Sequence, residues 1–279
     1  MNHTTFSIPA GDDLIIRGDL HADESGGANQ PLLIFCHGFK GFKDWGSFPY
    51  VAEELAKRGI ATIRFNFSCN GVGESLTDFD ELEKFGRNTY AQEITDLTLL
   101  TEWITTGKIP LPSYVDKTSL YVLGHSKGGG DAILFSAGNP HVTGIVTWNG
   151  IAHVNLFDEK LRQQIEENGV GYIPNARTGQ NMPITRVVID DVDNNQQEYD
   201  LLEKVSVMQQ PLCIIIGEKD FVRLVEGAKR MHAVAKNSEL HWIEGADHTF
   251  NTRHPFSGTS PQLEAAIKQT AAFVLHRRT

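Results

Sequence analysis

The chain has 279 residues, of which 40% are hydrophobic and 22% charged, the composition of an ordinary globular protein able to bury a sizeable core. Twenty-five Lys and Arg stand against 35 Asp and Glu, and the resulting net charge of −10 argues against a nucleic-acid partner. No stretch supplies the roughly 18 apolar residues that a membrane helix needs, so no membrane association is expected.

The first nine residues have neither a basic start nor an apolar centre, so no signal peptide is read there. Residues 14–20 suggest an early strand at a sheet edge, and 23–31 form a loop by composition. Residues 32–36 are an uninterrupted apolar run, the mark of a strand covered on both faces. That run ends in His37–Gly38–Phe39–Lys40–Gly41, a tight glycine turn. Residues 48–58 carry Val51 and Leu55 at helical spacing and stop at Gly59. A second buried strand is read at 60–65 and a helix at 90–106, with Ile94, Leu97, Leu100 and Ile104 near the helical period. A third apolar strand, 120–123, runs into Gly124–His125–Ser126–Lys127–Gly128 and a helix over 127–137, and another strand is read at 144–148.

From about 151 to 205 the alternation lapses. An amphipathic helix is read at 155–168, a loop at 169–183 and a closing helix at 199–205. This insert is longer than an ordinary connection and follows a strand, on the side where open α/β sheets face their ligands. It is read as a cap over the active site. Regular order resumes with a strand at 211–216, a helix at 225–236, a strand at 239–243 and a helix at 262–276. The expectation is one α/β domain spanning 1–279: a mostly parallel sheet flanked by helices, with a cap at about 151–205.

The chemistry sits at strand ends. Gly-x-Ser-x-Gly between strand and helix is a nucleophile elbow: glycines leave room for a sharp turn that lifts Ser126 above the sheet. A serine needs a base, and the base needs a carboxylate to hold its tautomer. His248 follows the last strand and Asp220 the one before it, so Ser126, Asp220 and His248 are the candidate catalytic residues. Glu218 and Asp247 are the nearby carboxylates held in reserve. A developing oxyanion needs backbone donors; Lys127, next to the nucleophile, and Phe39, in the loop after the 32–36 strand, are best placed. Phe42, Trp45, Tyr172 and Phe250 are candidates to line the pocket. Lys127 has two readings: an ion pair with Asp131 or an acid of 74–80, or a cation that favours negatively charged acyl groups.

These motifs resemble the α/β-hydrolase superfamily, with the same chain order of serine, acid and histidine. Within it the chain is most similar to small bacterial serine esterases of the cinnamoyl or feruloyl esterase-like kind. The resemblance implies an acyl-enzyme mechanism on a small-molecule ester, without a cofactor or metal. A thioesterase or peptidase would use the same residues, and a binding protein that has lost turnover would keep the fold. Cys36, Cys69 and Cys213 are widely spaced; Cys36 and Cys213 lie in apolar runs, suiting a reducing, cytoplasmic setting, as monomer or homodimer.

Overall fold

The apolar runs form the centre of an eight-stranded sheet. The computed structural model describes residues 1–276. Its strands are β1 (Asn2–Pro9), β2 (Ile15–Ala22), β3 (Gln30–Cys36), β4 (Ala61–Asn66), β5 (Val115–His125), β6 (Val142–Trp148), β7 (Val170–Pro174), β8 (Asn181–Thr185), β9 (Leu212–Gly217) and β10 (Ser238–Ile243). The main sheet has the order β1-β2-β4-β3-β5-β6-β9-β10, and β7 pairs with β8 in a separate hairpin. β2 runs antiparallel to both its neighbours, β1 and β4, and the remaining pairs are parallel. The helices are α1 (Phe48–Lys57), α2 (Leu82–Gly86), α3 (Tyr90–Thr105), α4 (Lys127–Ser136), α5 (Glu159–Asn168), α6 (Arg186–Asn194), α7 (Leu201–Val207), α8 (Val222–Val234) and α9 (Pro261–His276).

Successive strand residues point to opposite faces, and here both faces are covered. Leu32, Ile34, Val122 and Ile214 pack on one side with Leu97 of α3, Ile133 of α4 and Met231 of α8. Leu33, Phe35, Leu123 and Ile215 pack on the other with Val51 of α1 and Ile267 of α9. That two-sided burial explains why these strands read as continuous apolar runs rather than alternating ones.

The early strand is not at the edge. β2 lies one place in, because β1, mostly polar and exposed, pairs along its whole length in a hairpin. The segment 169–183, expected to be a loop, instead holds β7 and most of β8. Its turn closes through Asn175 N–H donating to the Gln180 carbonyl (2.8 Å) and Gly179 at φ 71°. α6 was not foreseen; it buries Val188, Ile189 and Val192 among its acids. Between β6 and β9 the insert therefore comprises α5, the β7–β8 hairpin, α6 and α7. The hairpin reaches the loop after β3: Arg177 donates to the Lys40 carbonyl (2.6 Å), and Lys40 Nζ donates to the Pro174 carbonyl (3.2 Å).

Candidate active site

β5 delivers Ser126 on a strained turn. Its φ of 57° and ψ of −118° lie where side chains rarely sit, and α4 begins at the next residue. Two glycines make room. A Cβ on Gly124 would stand 1.9 Å from the Gly128 carbonyl oxygen, and one on Gly128 would stand 2.4 Å from the Cys36 oxygen and 2.6 Å from that of His37. The start of α4 thus presses directly on the end of β3 and its loop. Gly128→Ala is expected to lower stability by about 1–3 kcal/mol through overpacking. A urea midpoint equal to wild type would mean that the loop yields freely.

Ser126 Oγ lies 3.0 Å from His248 Nε2. His248 Nδ1 in turn lies 2.9 and 3.1 Å from the two Asp220 carboxylate oxygens. The Asp220 side chain is fully buried, and its Oδ1 also accepts the Phe221 amide at 2.7 Å. The His248 ring keeps 26% exposure, so it reaches the cleft. The three side chains come from the carboxyl ends of β5, β9 and β10, as the sequence order anticipates. The reserve acids have other partners: Glu218 accepts the Gly245 amide, and Asp247 Oδ1 accepts those of Thr249 and Asn251.

Two positioning residues escaped the sequence reading. His125 Nε2–H donates to the His248 carbonyl (2.8 Å), and Asn149 Nδ2 donates to the same oxygen (2.9 Å). Asn149 Oδ1 accepts the Gly217 amide (2.8 Å), so one side chain ties the ends of β9 and β10 together. Burial, reinforced by the nearby His248, lowers the His125 pKa to about 3, so the ring stays neutral. The available signal was position: His125 fills the variable place of the elbow motif, and Asn149 is the first polar residue beyond β6.

The Phe39 and Lys127 amides have no hydrogen-bond partner among the described residues. Lys127's is one of the orphan donors of a helix start. Its side chain turns away from Ser126 and is buried. Nζ pairs with the Glu93 carboxylate, lies 3.3 Å from both Asp131 oxygens, and sits 3.9 Å over the Tyr90 ring. The expected Asp131 pairing is present, the second acid is Glu93 rather than one of 74–80, and the ammonium is spent on these groups.

The cleft is a cavity of about 150 Å³ walled by Phe39, Lys40, Trp45, Ser126, Arg177 and His248. Of the four expected lining residues, Trp45 is in place. Phe42 packs edge-on against Phe79 and Phe250 against Trp148, both buried in the core, because apolar area at the sheet ends is covered by neighbouring loops. Tyr172 is 54% exposed on β7 and faces grooves outside this cleft. Cys213, Glu239 and His241 bring metal-ligand atoms within 4.8 Å of one another, but within β9 and β10 rather than in the loops beyond their carboxyl ends that carry Asp220 and His248.

No family model matches the chain. A curated relative from Escherichia coli, described as an uncharacterized 31.7 kDa protein in the traX-finO intergenic region, is 24% identical over 253 residues, covering 80% of this chain and 84% of its own. Among solved structures, Est1E from Butyrivibrio proteoclasticus with ferulic acid bound superposes with a TM-score of 0.72 at 21% identity, over 98% of both chains. The esterase domain of a Rhodothermus marinus protein superposes with a TM-score of 0.64 at 17% identity, over 99% of both. With this sheet order and these neighbours, the chain has the α/β-hydrolase fold. No helix among the described residues is long and apolar enough to cross a membrane.

Proposed function

We propose that this protein is a serine hydrolase that cleaves carboxylic esters of small or aromatic acyl groups through an acyl-enzyme. The observation that carries the reading is the unbroken hydrogen-bonded chain from Ser126 Oγ through His248 to the buried Asp220 carboxylate. His248 Nε2 takes the Ser126 proton as Oγ attacks the ester carbonyl, and Asp220 holds the imidazole tautomer and stabilises the imidazolium that forms. The Phe39 and Lys127 amides receive the oxyanion. The tetrahedral intermediate collapses, the alkoxide leaves with the proton from His248, and water, deprotonated by the same nitrogen, releases the acid and restores Ser126. The insert between β6 and β9 acts as the cap: its hairpin places Arg177 against Trp45 at the cleft. Ferulic acid in the Est1E structure supports aromatic acyl groups as candidates.

The test is a p-nitrophenyl ester series from acetate to octanoate with a feruloyl ester, alongside labelling by a fluorophosphonate. The expected result is turnover of the short or aromatic members and one covalent adduct at Ser126, both absent in Ser126→Ala. Wild-type protein that neither turns over an ester nor takes the label would sink the reading.

A further inference from the structure

Among the described residues, two cations wall the Ser126 cleft without a counter-ion. Elsewhere the buried cations are matched: Lys43 and Arg64 share Asp19 and Asp44, and Lys127 has Glu93 and Asp131. Arg177 and Lys40 differ. The Arg177 guanidinium lies 5.2 Å over the Trp45 ring and donates to the Lys40 carbonyl, while Lys40 Nζ lies 5.8 Å from the Phe39 ring centre and donates to the Pro174 carbonyl. Among the described residues no carboxylate comes within 4 Å of either cation, in a chain with ten more acids than bases. A further titratable neighbour besides His125 and His248 of the cleft wall, His254, stacks on Trp45 and accepts the Gly46 amide at Nδ1. It supplies no negative charge. Desolvation lowers the pKa of both cations, and Arg177 adds its repulsion on Lys40. Like charges held close together beside a nucleophile, in positions fixed by neutral groups, leave donors for an anion to satisfy.

We propose that Arg177 and Lys40 recognise a carboxylate carried by the substrate, so that the preferred ester is one with a second, free acid group. The small cavity limits the separation between that carboxylate and the scissile carbonyl to a few atoms. This rests on the hydrolase reading above and narrows its substrate class. It also moves the charge preference from Lys127, whose ammonium is buried and paired, to the hairpin tip.

Two matched pairs test it by pH-stat: monomethyl glutarate against methyl butyrate for an acyl-side carboxylate, and 4-acetoxybenzoate against phenyl acetate for an alcohol-side one. Charge-assisted hydrogen bonds of about 1.5–3 kcal/mol predict a charged-to-neutral ratio in kcat/KM of about 10 to 150 in at least one pair. Arg177→Gln is expected to bring that ratio near one, and Arg177→Glu below it. Arg186→Gln, at an exposed cation of α6 outside the cleft, should leave the ratio as in wild type. Calorimetry of glutarate and butyrate with Ser126→Ala reads recognition without turnover, and tighter glutarate binding that Arg177→Gln abolishes supports the proposal. A ratio at or below one in both pairs, or one that Arg177→Gln does not move, overturns it while leaving the hydrolase intact. Arg177-dependent glutarate binding by a protein inert to every ester and to the fluorophosphonate keeps the anion site and rejects the hydrolase.

Discussion

Replacing His248 with Ala is expected to lower kcat/KM for a p-nitrophenyl ester by roughly 10⁴- to 10⁶-fold, and adding Ser126→Ala should cost almost nothing more. In the proposed mechanism the hydroxyl and the imidazole, 3.0 Å apart, act as one unit. A serine without a base is a weak nucleophile, and a base without the serine has nothing to deprotonate in the first step. Asp220→Asn makes a sharper test of geometry. The carboxylate accepts from both His248 Nδ1–H and the Phe221 amide. An amide in its place can turn its NH₂ toward Nδ1, which moves the ring proton to Nε2, the atom that must accept from Ser126. A loss of about 10⁴-fold is expected with the fold intact. Steady-state kinetics on the single and double variants, with circular dichroism as a fold control, check both statements. A His248→Ala enzyme within tenfold of wild type, or losses that multiply in the double variant, would mean that the serine works by another route.

The elements that carry the proposed chemistry were legible because each is set by local rules. Short, largely apolar runs mark the strands: 120–123 ends at Gly124 just before Ser126, 211–216 ends at Gly217 just before Asp220, and 239–243, with Glu239 and His241 among its apolar residues, runs into the Gly245 loop that carries His248. Elements set by tertiary packing were not legible. β7 and β8 are five residues each and contain Pro174 and Pro183, which demote a strand reading, although Met182 and Ile184 do alternate inward. β1 exposes most of its residues and is a strand because β2 lies beside it. Asp131, one helical turn from Lys127, was visible as a partner. Glu93 is 34 residues upstream on α3, and no spacing rule reaches it. Arg177 was hidden for the opposite reason: the role proposed for it rests on the absence of an acid among its described neighbours, which only the folded neighbourhood reveals.

The buried cluster around Lys127 sets the second large effect. Lys127→Met is expected to destabilise the protein by about 3–5 kcal/mol at pH 8, because it strands Glu93 and Asp131 in the interior without their cation. The loss should be smaller at pH 5. Even with Lys127 present, burial lifts the Asp131 carboxyl from 3.8 to about 6, the ammonium opposing the rise. The folded state then holds more protons than the unfolded one between about pH 4 and 6, so this group's contribution falls as pH rises through that window. Removing the ammonium removes the opposing pull. The folded Asp131 carboxyl then titrates at still higher pH, and the penalty keeps growing above pH 6, where the wild-type contribution has levelled off. Glu93→Gln in the Lys127→Met background should recover much of the loss at pH 8 and little at pH 5, since an amide carries no charge to strand. Urea unfolding of the three proteins at both pH values decides it. A Lys127→Met protein as stable as wild type at pH 8, or one hurt more at pH 5, would mean that the ammonium is not what keeps these carboxylates in the core.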